Sequence, residues 1–140
     1  MGLTSNRNKP NTKVAEKTLL KNYASCFEIP VINFEEALRF GNYLYEIDIK
    51  TNETGDYNMA FFPVKGSVGG AIVWGPGSVP SNKGSLLYLN GVDDLNNLLI
   101  RVKEAGGPVI MPKTLISKEY GYFAIFIDRG GNKMAFHSNN

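Results

Sequence analysis

The sequence predicts an α+β fold made of two βαβββ modules, whose curved mixed sheets surround a cup. A strand, an amphipathic helix and three strands occur in the same order twice, at about residues 24–75 and 85–138. One linker rich in glycine and proline, residues 75–84, separates the two runs. A strand and a helix cannot close a core alone, so the two units are expected to pack together. Curved sheets leave a concave face that suits a small ligand.

The first module begins with an apolar strand at residues 24–30. Asn33 then has the position of a helix N-cap, and Glu36 stands at capping-box spacing in the first turn. An apolar stripe at helical spacing follows, and Gly41 within it should weaken the helix by about 1 kcal/mol relative to alanine. The remaining expected elements are strands at residues 46–51, 57–64 and 70–74, with turns at 52–55 and 65–67.

The second module repeats this order. A strand at residues 85–90 leads to a helix that Asp93 or Asp94 opens and that Gly106 and Gly107 end. Leucines and a valine at three- and four-residue spacing form the apolar side of this helix. The last expected elements are strands at residues 109–111, 122–128 and 134–136, with a hairpin turn at 129–132.

Composition excludes several classes of protein. A chain of 140 residues suits a single domain and can bury a core without a disulfide or a metal. The net charge of +2 is too small to predict a nucleic-acid or membrane partner. Cys26 is the sole cysteine, which excludes an intrachain disulfide and fits a reducing compartment. Because the sequence has neither a long apolar run nor the apolar core of a secretory signal, we expect a cytoplasmic protein.

The N-terminal segment, residues 1–22, is polar and rich in lysine and asparagine. We expect a flexible extension before a domain that spans residues 23–140. Residues 14–20 could instead form a short helix, because several of them favour helices.

Four segments resemble the glyoxalase/bleomycin-resistance/dioxygenase superfamily, also called the vicinal oxygen chelate (VOC) superfamily. They are residues 27–31, 87–95, 101–107 and 121–133, the last with a D-x-x-G-N turn. Their order and spacing extend over residues 24–138 and are specific for the fold. The resemblance implies a ligand-holding cup and a homodimer.

The resemblance also implies metal ligands near the middle of the first and last strand of each module. These positions fall near Cys26, Ala71 or Val73, Leu86 and Ala135. One thiol without partners makes a poor metal site, and the other side chains cannot bind a cation. His137 is the only histidine, so one chain cannot supply two imidazole ligands. We therefore expect no metal and no other cofactor, and neither glyoxalase nor ring-cleaving dioxygenase activity.

Period-two alternation along the strands brings further side chains to the expected cup. Glu28 and His137 are candidates for proton transfer there. These side chains can also have purely structural roles. Glu28 could form a charge pair, and His137 could form a hydrogen bond or lie in a frayed C-terminal strand. Tyr88, which alternation also brings to the cup, could be a packed core residue. The expected ligand-binding residues are Glu28, Phe62, Trp74, Tyr88, Asn90 and Tyr122.

Three functions are compatible with these residues. The favoured hypothesis is a metal-independent protein that binds a small organic ligand in the cup, like the bleomycin-resistance proteins it resembles. The second is a lyase- or isomerase-like enzyme that uses Glu28 or His137. The third is a dimerising module without a ligand. The sequence contains no nucleophile elbow, phosphate loop, CxxC or HExxH motif that would identify an enzyme.

Overall fold

The computed structural model describes residues 19–66 and 68–140, which form two modules with the same order of elements. The predicted repeat of a strand, a helix and three strands is confirmed. The first module contains β1 (Cys26–Pro30), α1 (Phe34–Tyr45), β2 (Lys50–Thr54), β3 (Tyr57–Phe61) and β4 (Gly69–Trp74). The second contains β5 (Leu87–Asn90), α2 (Leu95–Glu104), β6 (Val109–Ser117), β7 (Gly121–Ile127) and β8 (Lys133–Ser138).

Each module forms a four-stranded mixed sheet, as predicted. The strand orders are β1-β4-β3-β2 and β5-β8-β7-β6, which correspond element for element. In both sheets the first strand runs parallel to the last strand of its module, and the other neighbours are antiparallel.

The helix α1 begins where the sequence predicts. The side chain of Asn33 accepts a hydrogen bond of 3.0 Å from the backbone N–H of Glu36, which satisfies one of the free donors of the first turn. The predicted apolar stripe faces the core, with Leu44 buried. The second helix, α2, has Asp94 as its N-cap, and its leucines and valine are buried as predicted.

The prediction of a strand at residues 46–51 is wrong for the first residues of this range. Glu46 has a left-handed backbone conformation with φ 54°, which ends α1 and turns the chain. Asn42 then holds the loop, because its backbone carbonyl and its side chain accept hydrogen bonds from the N–H groups of Ile47 and Ile49. The strand β2 therefore begins at Lys50 and includes most of the expected turn, which moves to residues 55–56.

The strand β6 is longer than the predicted residues 109–111 and continues through Pro112. Proline cannot donate to a strand ladder, so it is tolerated mainly at sheet edges. β6 lies at the edge of its sheet, and the register against β7 shifts on both sides of Met111. The edge position explains why a proline did not end this strand.

One hydrophobic core joins the two modules. The helices contact each other, and the guanidinium of Arg101 in α2 donates a hydrogen bond of 2.8 Å to the carbonyl of Leu44 in α1. Within the described residues the two sheets share no hydrogen-bonded strands. Each sheet packs one face on this common core, so that face is turned inward. We call the opposite, outward face of each sheet its cup face. Core residues from both modules include Ile29, Leu44, Ile72, Leu89, Val102 and Phe136.

The expected N-terminal extension lies largely outside the described residues, as does most of the short helix considered at residues 14–20. Residues 19–22 are exposed. The proposed boundary between residues 22 and 23 stays a prediction. Neither helix in the described part of the chain is long and apolar enough to cross a membrane.

Candidate functional site

The cup face of the first module has a floor of small side chains. Ile29 in β1 faces the core, so its neighbour Glu28 faces outward. The strand register places Glu28 beside Ala71 in β4, which is buried outside the hydrophobic core. An open depression of about 430 Å³ lies here. Its lining residues are Glu28, Tyr57, Met59, Val73, Pro76, Gly77 and Ser78.

The cup face of the second module brings three predicted site residues together. Tyr88 in β5 lies opposite Ala135 in β8, and Asn90 lies opposite His137. Ala135 is fully buried, whereas half of the Tyr88 side chain is exposed. A depression of about 470 Å³ includes Tyr88, Asn90 and His137 in its lining. The period-two argument therefore put these three residues on one face correctly.

Hydrogen bonds orient two of these side chains. The Asn90 side chain accepts a bond of 2.7 Å from the backbone N–H of Val92, which holds the turn after β5. The Nε2 atom of His137 lies 2.5 Å from the carbonyl oxygen of Tyr120. A carbonyl only accepts, so this contact requires the proton on Nε2 and leaves Nδ1 as the acceptor of the neutral ring.

Glu28 and His137 line two different depressions. Each belongs to its own module, and the two depressions have no lining residue in common. Among the described residues, no ion pair involves Glu28.

The three other aromatic candidates are not on the cup faces. Phe62 packs against the core, with its ring 6.4 Å from that of Tyr45 in an edge-on arrangement. Tyr122 also packs on the core, with the Lys113 ammonium 4.6 Å from its ring centroid. The side chains of Trp74 and Val73 point to opposite faces of β4, so Trp74 lies on the same face as Ile72. Even so, 42% of the Trp74 residue is exposed. Their roles in ligand binding stay predictions.

Sequence reasoning missed the contribution of β3 to the first cup face. Tyr57, Met59 and Phe61 alternate with Ala60, which is fully buried in the core. Tyr57 donates a hydrogen bond of 2.8 Å to the carbonyl of Pro76, and Phe61 remains 45% exposed. Alternation separates Tyr57, Met59 and Phe61 from Ala60, but it does not say which set faces the cup, and the predicted Phe62 belongs to the other set.

A further cavity, of about 320 Å³, lies between the modules on the core side of the sheets. We call it the intermodule cavity. Glu36 of α1 and Arg129 of the β7–β8 turn form an ion pair of 3.6 Å in its lining. Burial raises the pKa of the neighbouring Asp128 carboxyl, although it accepts a hydrogen bond of 2.9 Å from the N–H of Asn132. Burial also raises the pKa of Tyr45, whose hydroxyl donates to the carbonyl of Asn90.

The side chains at the implied ligand positions do not fit the divalent metal that the resemblance implies. Cys26 is exposed and lies opposite Gly69, and the implied positions in the last strands of the modules carry alanine or valine. In residues 19–66 and 68–140, no three His, Cys, Asp or Glu side chains lie close enough together to hold a metal ion. These residues suit an organic ligand better than a cation.

Comparison with known structures finds matches across most of the chain. A glyoxalase/bleomycin resistance protein from Streptomyces sp. CB03234 matches with a TM-score of 0.61 and 25% identity, over 82% of this chain and 99% of that one. TnmS3, an antibiotic binding protein from the same organism, matches with a TM-score of 0.57 and 24% identity, over 87% and 99%.

A glyoxylase/bleomycin resistance protein/dioxygenase domain from Frankia sp. EAN1pec has a TM-score of 0.60 and 14% identity, over 88% of this chain and 100% of that one. No protein-family model matches the sequence, and a search of curated proteins found no match.

Proposed function

We propose that this chain, which has the fold of the glyoxalase/bleomycin-resistance/dioxygenase proteins, binds a small organic molecule at its cup faces without a metal ion. The observation that carries the proposal is the composition of these faces. Each combines a floor of small buried side chains, such as Ala71 or Ala135, with half-exposed aromatic side chains, such as Phe61 or Tyr88. Apolar concave surfaces with a few polar groups are typical of small-molecule sites.

The side chains also favour one class of ligand. The half-exposed rings of Phe61 and Tyr88 can each stack on an aromatic plane, which contributes about 0.5–1.5 kcal/mol per pair beyond buried area. The exposed Glu28 carboxylate suits a cationic or hydrogen-donating group. In the other module, the Nδ1 atom of His137 can accept a hydrogen bond. We therefore expect a neutral or cationic aromatic compound.

The structural neighbours support binding as the function. TnmS3 has 24% identity to this chain and is an antibiotic binding protein. Its likeness establishes the fold, and because one fold hosts many functions, its antibiotic binding supports the proposal by analogy alone.

We also propose that the working form is a homodimer. In one chain each cup face is an open sheet with large apolar side chains exposed, among them Phe61 and Tyr88. A second copy placed by a two-fold axis would cover these faces and enclose the ligand. A homodimer also accounts for exposed apolar area that a monomer rarely tolerates.

The alternatives have less support. An enzyme that used Glu28 or His137 would have only one of these candidate proton-transfer groups in each depression, because the two side chains line different depressions. A ligand-free dimerising module would be expected to fill its cup faces with side chains, but both faces hold open depressions.

A calorimetric titration tests the proposal. The protein is titrated with bleomycin and with a library of aromatic and alicyclic compounds, in the presence of a metal chelator. We expect at least one compound to bind, and Tyr88→Ala or Glu28→Gln to weaken its affinity about tenfold through lost stacking or a lost charge-assisted bond. Tyr23→Ala, which removes a ring that is 79% exposed and lines neither depression, is the matched control.

Two results would refute the proposal. One is the absence of binding across the whole library. The other is a ligand whose affinity is the same in the wild type, in Tyr88→Ala and in Glu28→Gln.

A further inference from the structure

The intermodule cavity exists because several positions around it carry small residues. Ala37 and Gly41 on α1 and Ala105 and Gly107 after α2 all line it. A side chain at position 41 would be sterically crowded, since a Cβ atom on Gly41 would lie 2.8 Å from Cδ1 of Ile49. Gly107 is restricted in the same way by the carbonyl oxygen of Ile127, at 2.9 Å. Both glycines thus pack closely against their own modules, and at Ala37 and Ala105 the lining of the cavity carries only a methyl group.

Much of the wall of the intermodule cavity is apolar and buried in the core. Leu44, Leu89, Val102 and Met134 line it, and each is at most 7% exposed. In the described part of the chain, no buried side-chain nitrogen or oxygen lacks a hydrogen-bond partner. A strongly polar ligand would find no free partner among buried side chains and would lose its hydration, which costs several kcal/mol for a charged group. Glu36, Arg39, Asp128 and Arg129 also line the cavity, so it is the buried apolar part of the walls that favours an uncharged molecule.

The solvent side of the cavity is spanned by a weak contact between the modules. The Glu36 and Arg129 side chains, which are 34% and 60% exposed, are 3.6 Å apart. Exposed ion pairs of this kind contribute only about 0–1 kcal/mol, so opening this contact costs little. A ligand can therefore enter here without disrupting either sheet.

We propose that the intermodule cavity is a second binding site, separate from the cup faces, for a compact uncharged molecule with one or two aromatic rings. Its volume of about 320 Å³ falls at the lower end of ligand pockets, which begin at about 300 Å³. Smaller apolar cavities of about 150 Å³ already bind benzene. The lining contains none of Glu28, Tyr88 and His137, so the site does not depend on the cup proposal.

Indole is the probe for this site, with methyl groups of the full-length protein as NMR reporters. Saturable shifts are expected at the methyl groups of Leu89, Val102 and Met134. The methyl groups of Met59 and Val73 on the cup face should not shift. Localised shifts in the wild type support the site without any substitution. Shifts only at Met59 and Val73, or no saturable shift, would overturn the proposal.

Two cavity-filling variants provide the second readout. Ala37→Leu and Ala105→Leu each add three carbons to the lining, and we expect each to weaken indole binding at least tenfold. Because they fill empty space, we expect melting temperatures equal to or above that of the wild type. The matched control is Ala24→Leu, at an exposed position outside the lining, which should bind indole normally.

The two binding proposals can fail separately. Tyr88→Ala should leave indole binding in the intermodule cavity unchanged, whatever it does to a cup ligand. If both folded cavity-filling variants bind indole as tightly as the wild type, the intermodule site is refuted and the cup proposal is unaffected.

Discussion

At the level of single residues, Asn132 connects three separate segments of the chain. Its side-chain nitrogen donates a hydrogen bond of 2.7 Å to the carbonyl of Pro30 at the end of β1. Its side-chain oxygen accepts one of 3.0 Å from the N–H of Ser81 in the linker. Asn132 is only 6% exposed, and both of its hydrogen bonds are partly buried. The side chain thus joins the second module to both the first module and the linker.

Replacing this residue should be costly. We expect Asn132→Ala to lower the free energy of unfolding by about 1–2 kcal/mol, because it leaves the partly buried carbonyl of Pro30 and the N–H of Ser81 without these partners. Urea denaturation measures the loss. Asn97→Ala, at an exposed position of α2, should stay within about 0.5 kcal/mol of the wild type. A comparably small change for Asn132→Ala would show that its hydrogen bonds contribute little.

At the level of elements, α1 shows how packing opposes helix propensity. The sequence predicts that Gly41 weakens α1 by about 1 kcal/mol relative to alanine. The structure adds that Gly41 is buried and lies against the side chain of Ile49, which leads into β2. Glycine lets the helix lie close to this segment, and an alanine methyl would displace Cδ1 of Ile49 from its place in the core.

A double-mutant cycle tests this explanation. We expect Gly41→Ala alone to stabilise the protein by clearly less than the propensity value of about 1 kcal/mol, or to destabilise it. In an Ile49→Val background, which lacks Cδ1, the same substitution should approach the full propensity gain. Both comparisons use urea denaturation. Equal effects of Gly41→Ala in the two backgrounds would rule out the contact as the cause.

At the level of the whole molecule, the modules turn their cores toward each other and their cup faces outward. The core extends across both modules, and the Arg101 and Asn132 hydrogen bonds cross between them. The cup faces consequently remain open in one chain, with Phe61 and Tyr88 about half exposed. This arrangement is the basis for expecting a second copy.

Sedimentation analysis tests the homodimer. The wild type should sediment at about twice the chain mass of 15.4 kDa at micromolar concentrations. Phe61→Glu, on a cup face, should shift the population toward the monomer, because it places a charge in the expected interface. Ile100→Glu replaces an exposed apolar residue on α2 and should have no such effect. A wild type that remains at 15.4 kDa throughout this range would contradict the proposal.

Local interactions allowed much of the fold to be predicted from the chain alone. The N-cap side chain of Asn33 acts within one helical turn, and the positions of Tyr88, Asn90 and His137 follow from the alternation of neighbouring residues in a strand. The order of elements in both modules rests on the same short-range patterns. These features depend on residues close in sequence, and the family resemblance indicated which face of the strands forms the cup.

Other features depend on contacts between distant residues and could be found only in three dimensions. Phe62 and Tyr122 were expected in the cup, but packing against the core holds them on the opposite faces. The role of Asn132 depends on Pro30, which lies 102 positions away in the chain. The intermodule cavity likewise has walls from both modules. Side-chain alternation identifies two faces of a strand, but only the packing of the modules determines which distant residues each face meets.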